Sequence, residues 1–361
     1  MNHLLVIRLS SFGDVAMTVP VVDSMARQFP ELKITVLTSQ RCRDFFDWMP
    51  ENVSVMGINT DDYKGLKGLN KLYSELKPMG FDAVADLHDV LRTKYLKWRF
   101  RLSGVKVRVI HKGRGSKQVL IGHGYTGQQL KHTVERYLDV VRQLGLNVVP
   151  DFVCAFDKKR MNYSDVYAVT GEKKVSERWV GIAPFAAHEG KVFPLDRMAL
   201  VAKILAERGC RVFLFGAGDK EKEVLESWES NGVMSVAGKL GGFHNEILLM
   251  SRLDCMISMD SANMHLASMV DVPVVSVWGA THPKAGFLGW RQKQSSIVQL
   301  DLRCRPCSIY GKKKCKYGDY RCMAYMPKEK ILRHVYRILG MEDKLMPDSV
   351  ADDRIFDTEH Q

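Results

Sequence analysis

Asp14 closes the loop Ser10-Ser11-Phe12-Gly13, which follows an apolar strand pattern at Leu4 to Leu9 and precedes a helical pattern from about Val15 to Phe29. Glycine permits the sharp strand-to-helix turn. A carboxylate at that point has two uses. As a helix cap it accepts a backbone N–H and is favoured by the helix dipole, worth about 1 kcal/mol. As a general base it takes a proton from a hydroxyl held within hydrogen-bonding reach. Residue type alone leaves both open.

Four loops in the second half of the chain carry groups suited to a phosphate. Lys191 lies in the loop after the strand pattern Val180 to Ala183, where an ammonium would neutralise a diphosphate leaving group. Gly216-Ala217-Gly218-Asp219 follows Cys210 to Phe215, and Asp260-Ser261-Ala262-Asn263-Met264-His265 follows Cys255 to Ser258. Gly279-Ala280-Thr281-His282-Pro283 follows Val272 to Trp278. Small residues at a helix N-terminus leave N–H groups open to an anion. A single such loop reads more readily as a cap, Asp260 with a half-buried histidine for instance; three other loops on the same edge with compatible chemistry strengthen the phosphate reading. The glycine pair lacks the third glycine of a dinucleotide fingerprint, so an NAD site is not indicated.

The elements that position these loops alternate regularly. Strand patterns at Leu4 to Leu9, Ile34 to Leu37, Val53 to Gly57, Ala83 to Asp86 and Val105 to Ile110 are separated by helical segments. After an irregular stretch the same grammar restarts at Val180 and runs to Trp278. Such alternation gives parallel sheets covered by helices on both faces. The expected organisation is a Rossmann-like domain over 1–155, a linker over 156–178, a second Rossmann-like domain over 179–340, and a polar, loosely attached tail over 341–361. Ligands of open parallel sheets bind beyond the carboxyl ends of the strands, so two such sheets facing each other place the active site in the cleft between them.

At 361 residues, 46% hydrophobic and 26% charged, the chain suits two packed cores. Arg8 interrupts the first apolar run with no cleavage site after it, and no segment reaches the roughly 20 apolar residues that cross a bilayer. A cytoplasmic protein with reduced thiols is expected from eight thinly spread cysteines. The net charge of +12 calls for an anionic partner. From Arg92 to Lys117, including Arg99, Arg101, Arg108 and Arg114, no Asp or Glu intervenes, which suggests one concentrated cationic surface. A nucleic-acid binder would use that charge with Tyr95 and Trp98, but no nucleic-acid motif accompanies it. Cys304, Cys307, Cys315 and Cys322 form C-x2-C-x7-C-x6-C. Four thiolates of this kind hold zinc in other proteins; the later spacings are unorthodox and favour packed thiols. Neighbouring lysines 312–314 and 316 are expected to lower the thiol pKa values.

The segments Ile7-Arg8-Leu9-Ser10-Ser11-Phe12-Gly13-Asp14-Val15, Asp260 to Ala267, Pro273 to Thr281 and Cys304-Arg305-Pro306-Cys307 resemble glycosyltransferase family 9, the ADP-heptose:lipopolysaccharide heptosyltransferases. The resemblance implies the GT-B fold, an α/β architecture of two facing Rossmann-like doubly wound parallel-sheet domains. It implies inverting transfer from a nucleotide diphosphate sugar such as ADP-heptose to an anionic lipid-linked acceptor of the lipid A–Kdo type, at the cytoplasmic face of the inner membrane. Asp14 is then the base; Lys191, Gly216, Gly218, Asp260, Ser261, Ala262, His265, Gly279 and Thr281 form the donor site. Ser10, Ser11, Gly13 and the arginines 99, 101, 108 and 114 flank the acceptor. The family needs no metal or other cofactor, and the sequence contains no Asp-x-Asp motif. A GT-B enzyme using UDP- or GDP-sugars is the alternative. Two departures stand out: Ala262 where the family usually has glycine, and Ala186-Ala187 where many members have threonines.

Overall fold

The computed structural model describes residues 1–121 and 128–341. The chain divides into two compact units: Met1–Gly113 with Lys131–Arg160, and Arg114–Leu130 with the chain from Met161 onwards.

The first unit is built on five strands: β1 (His3–Ile7), β2 (Lys33–Ser39), β3 (Val53–Ile58), β4 (Ala83–Asp86) and β5 (Lys106–Val109). All pair in parallel, in the order β3-β2-β1-β4-β5. Central strands covered on both faces must be apolar throughout rather than alternating, and β1 and β4 are buried almost end to end. The expected single helix from Val15 to Phe29 is two: Phe12–Ala16 and Val19–Gln28. Pro20 has no N–H to continue the first helix but fits the first turn of the second.

The second unit contains β6 (Arg178–Ala183), β7 (Cys210–Leu214), β8 (Val233–Ser235), β9 (Cys255–Met259), β10 (Val274–Val277) and β11 (Ile297–Val298). They pair in parallel in the order β11-β10-β9-β6-β7-β8. The C-terminal helix Lys328–Leu339 contributes Ile331, Leu332, Val335 and Tyr336 to the same core as β6, β9 and β10.

Two boundaries differ from the expectation. The 156–178 stretch contains a helix, Ser164–Thr170, fastened to the second unit by a Tyr163–Ser251 hydroxyl contact of 3.0 Å and by Arg211 donating to the Thr170 carbonyl at 2.6 Å. At seven residues it is too short for a helical periodicity to stand out. Arg114 and Lys117 lie on the helix Arg114–Leu120, which belongs with the second unit. Past Met341 the expected tail lies outside the described residues.

Candidate active site

In each sheet the strand order reverses once, beside the first strand. That reversal opens a crevice at the carboxyl edge, where the connections leave in opposite directions. In the first unit it lies between β1 and β4, so the loops after those strands flank it. In the second it lies between β6 and β9.

Around the first crevice Arg8 is the organising residue. Its side chain is buried, Nη1 donates to the Leu87 carbonyl at 2.6 Å, and Nη2 lies 2.6 Å from Asp14 Oδ2. Ser11 Oγ donates to the same carboxylate oxygen at 2.8 Å, and Tyr137 Oη donates to the Asp14 backbone carbonyl at 3.2 Å. Asp14 keeps 29% of its side chain exposed. It is thus tied both to the helix start and to a buried cation, a constraint that its role as a cap or as a base would share. The ion pair and the Ser11 hydroxyl fix the carboxylate in one orientation.

His88, in the loop after β4, accepts the Leu9 N–H on Nδ1 at 3.4 Å, so its proton belongs on Nε2. Burial pushes it down to about 3, assisted by Arg8, Lys112 and Arg92 and opposed by Asp14. The one lone pair of the neutral ring already accepts the Leu9 N–H, so His88 has none left to take a substrate proton. Because the folded pKa lies below the ordinary 6.5, the unfolded chain takes up the proton first. The contribution of His88 to stability is therefore complete above about pH 6.5 and is lost as pH falls toward about 3. The melting-temperature difference between the parent and His88→Gln should shrink on titration from pH 7 to about pH 4; a difference independent of pH would mean that His88 carries no such proton linkage.

Around the second crevice Lys191 Nζ lies 2.9 Å from Asp260 Oδ2, and Thr281 Oγ1 donates to that oxygen at 2.8 Å. Both side chains of the ion pair are largely buried, at 14% and 8% exposure. These three residues come from the loops after β6, β9 and β10, which sequence alone placed on one edge. Ser261 precedes the helix Ala262–Met269 in an extended conformation, and His265 is buried within it. Ala262 is the first helical residue and is not among the positive-φ positions, so alanine is unstrained there.

Gly279 is needed for space: a Cβ there would sit 2.4 Å from the Gly190 carbonyl oxygen and 2.7 Å from Met323 Cγ. That contact holds the loop after β10 against the turn carrying Lys191, and the Ala280 N–H donates to the Gly190 carbonyl at 2.8 Å. Gly279→Ala should therefore lower the melting temperature by the equivalent of about 1–3 kcal/mol, measurable by thermal denaturation. A variant as stable as the parent would show that the two turns separate freely. Gly216 packs on the Asp219–Glu226 helix, with a Cβ placed 2.7 Å from Leu225 Cδ1; Gly218 precedes that helix at φ +81°.

Arg305, in the Cys304-Arg305-Pro306-Cys307 segment, is buried and ties this rim together. Its guanidinium donates to the carbonyls of Gly279, Leu300 and Thr281. His282, on the same rim, is pushed down to about 4 by burial, with Arg305 and Lys284 adding to the effect. The signal for His88 was equally available: it is the second residue after the expected strand Ala83 to Asp86.

The structure divides the basic stretch from Arg92 to Lys117. Arg99 is turned inward, bonded to Asn70 and stacked 4.3 Å from the Tyr73 ring. Arg92 donates to the Thr60 carbonyl, Lys106 to Leu144 and Lys112 to Asp89. Arg108 lies on β5, half-buried, and Lys117 is buried 4.2 Å from the Phe287 ring. Arg101 is exposed, as are Ser10 and Ser11, whose connecting peptide is cis. The single cationic surface is thus several separate features.

The four cysteines of the 304–322 segment are free thiols. Among the described residues no set of three or more His, Cys, Asp or Glu side chains is arranged to hold a metal. Contrary to the expectation from the lysines, Cys307 is pushed up, and Cys322 is pushed up to about 11, because burial outweighs the nearby positive charge.

A family model described as glycosyltransferase family 9 (heptosyltransferase) matches residues 69–320, well over half of the chain. The chain belongs to glycosyltransferase family 9. This family 9 protein is a glycosyltransferase, taking sugar from a nucleotide-sugar donor. It is 26% identical over 308 residues to lipopolysaccharide heptosyltransferase 3 of Escherichia coli K12, covering 80% of this chain and 84% of that protein. The transferase superposes on the glycosyl transferase family 9 structure from Veillonella parvula with a TM-score of 0.71 at 20% identity, covering 94% and 97% of the two chains. The E. coli heptosyltransferase WaaC, solved with ADP, superposes with a TM-score of 0.62 at 17% identity over 83% and 94%. The two-sheet architecture of this family 9 enzyme is accordingly that of the GT-B class.

Proposed function

We propose that the protein transfers heptose, with inversion, from ADP-heptose to an anionic lipid-linked acceptor of the lipopolysaccharide inner core, of the lipid A–Kdo type. The observation that carries the reading is the Lys191–Asp260–Thr281 group at the crevice of the second sheet, in a chain of this family. The names of the relatives, lipopolysaccharide heptosyltransferases, and the ADP in the WaaC structure support the choice of sugar, acceptor and nucleotide.

In this reading the second unit holds the donor. An incoming diphosphate replaces Asp260 as the partner of Lys191, and the free N–H groups at the start of the Ala262–Met269 helix add further donors. The remaining residues that sequence reasoning put near the donor, Ser261, Ala262, His265, Gly216, Gly218 and Gly279, shape this edge. The first unit holds the acceptor near Asp14, with Ser10, Ser11 and Gly13 in the same loop. The acceptor oxygen bonds to the anomeric carbon from the face opposite the diphosphate, the carbon–phosphate-oxygen bond breaks, and the acceptor proton passes to Asp14. Charge grows on the departing ADP during this step, so a pre-placed ammonium helps most in the transition state. The protein works in the cytoplasm, peripheral on the anionic inner-membrane surface where such acceptors reside. Among the described residues no helix is long and apolar enough to cross a membrane.

Thermal stabilisation across a donor panel tests the donor. A ligand at 100 times its Kd adds about 2.7 kcal/mol, which raises the melting temperature by about 5–10 °C. ADP and ADP-heptose should do so while UDP, GDP and their sugars do not; stabilisation by UDP- or GDP-sugars alone would reassign the donor.

A further inference from the structure

The helix Leu91–Leu102 has two faces of opposite purpose. Thr93, Leu96 and Phe100 point into the core of the first unit. The other side carries Leu91, Lys94, Trp98, Arg101 and Leu102, all exposed, with Leu91 at 84%, Trp98 at 55% and Leu102 at 68%. Positions 91, 98 and 102 are seven and four residues apart and fall on one line along a helix. Exposed large apolar side chains are ordinary when scattered, whereas three in a row rimmed by cations need a partner. Lys94, Lys97 and Arg101 supply the rim, and the chain has no Asp or Glu from Val90 to Val134.

Beside this helix lies a second feature of the same sign. A groove of about 470 Å³ opens against the neighbouring helix Gly65–Leu76 and is lined by Asn70, Lys71, Ser74, Lys77 and Arg99 among others. Arg99 is held in place there by Asn70 and by its stack on Tyr73. No carboxylate lines the groove. An apolar stripe alone would suit many partners; apolar anchors, flanking cations and a cationic groove together match an anionic bilayer. Tryptophan and leucine enter the boundary of the acyl chains, lysine and arginine meet the headgroups, and the groove takes one lipid phosphate.

We propose that the outer face of the Leu91–Leu102 helix, with the groove at its side, is the surface by which this protein docks onto anionic membrane lipid. The proposal rests on the membrane reading above and names the residues that would carry it out. It separates docking from catalysis, because none of these docking anchors belongs to the Asp14 or Lys191 groups.

The test uses the full chain with vesicles of phosphatidylglycerol and phosphatidylcholine, and with vesicles of phosphatidylcholine alone. The parent should sediment with the anionic vesicles only, and brominated acyl chains should quench part of its tryptophan emission. Leu91→Ser/Trp98→Ser/Leu102→Ser should bind at least about tenfold more weakly and lose that quenching. Lys94→Glu/Lys97→Glu should lose a similar factor, at about fivefold for each basic residue near the surface. Both variants should transfer sugar to a short, water-soluble acceptor at the parent rate, which also verifies that they are folded. Vesicle binding by both variants equal to the parent's would overturn the assignment of this face while leaving membrane association intact. A parent that binds no anionic vesicle would sink both, whereas absent transfer to the soluble acceptor would count only against the catalytic reading. Preferential, salt-sensitive retention of an oligonucleotide over vesicles would overturn the choice of a lipid partner.

Discussion

Asp14→Asn should reduce kcat by about 100-fold or more, measured at saturating donor and acceptor, in line with ordinary general-base contributions. Asparagine is nearly the same size, and its carbonyl oxygen still accepts from Ser11 Oγ, which now donates to the carboxylate at 2.8 Å. What it cannot do is take a proton or balance Arg8. The sequence offers Asp14 no structural partner beyond the helix start, and on that ground this substitution leaves stability almost untouched. The structure changes that expectation: Arg8 is buried and 2.6 Å from Asp14, so removing the negative charge leaves a buried guanidinium short of its counter-ion. A stability loss of about 1–3 kcal/mol should accompany the fall in turnover. The two effects are separable because kcat is read well below the melting temperature, with nucleotide affinity reporting that the second unit is intact. A variant that melts early yet turns over normally would make Asp14 a structural anchor for Arg8 and place the base elsewhere.

Lys191→Ala should weaken nucleotide-sugar affinity by at least about tenfold and slow transfer further, since the interaction strengthens as diphosphate charge develops. It also strands Asp260, whose side chain is 8% exposed and would keep only Thr281, donating at 2.8 Å. Part of the measured loss would then be the cost of an unpaired buried carboxylate rather than of a missing phosphate contact. Lys191→Ala/Asp260→Asn distinguishes them. If Lys191 serves the diphosphate, the double variant should regain stability but not transfer. If Lys191 exists only to pair Asp260, transfer should return with stability, and an unchanged kcat/KM in the single variant would remove Lys191 from the site.

Much of this was legible because parallel sheets make it so. Central strands are apolar runs, and the rule that ligands sit beyond their carboxyl ends singles out the loops of Asp14, Lys191, Asp260 and Thr281 from residue pattern alone. The meeting of Lys191, Asp260 and Thr281 depends on strand order, which brings β6, β9 and β10 side by side although Lys191 and Asp260 lie far apart in the chain. Strand order leaves no local pattern to read. Arg8 was hidden for a related reason: its partner is near in sequence, but its burial comes from Leu87 and Tyr137 on other elements. The basic stretch misled because charge counted along a chain ignores direction. Arg99 and Lys117 turn inward onto aromatic rings, while Lys94 and Arg101 remain outside. The cysteines misled in the same way, since counting adjacent lysines missed the burial that raises Cys322.

The most direct test of the account is a transfer assay with purified protein, ADP-heptose and a heptose-deficient lipid A–Kdo acceptor, followed by mass spectrometry of the acceptor and by ADP release. The account predicts an acceptor heavier by one heptosyl residue, one ADP released per transfer, and the opposite anomeric configuration in the product. An acceptor left unmodified with ADP-heptose but glycosylated with a UDP- or GDP-sugar would contradict it.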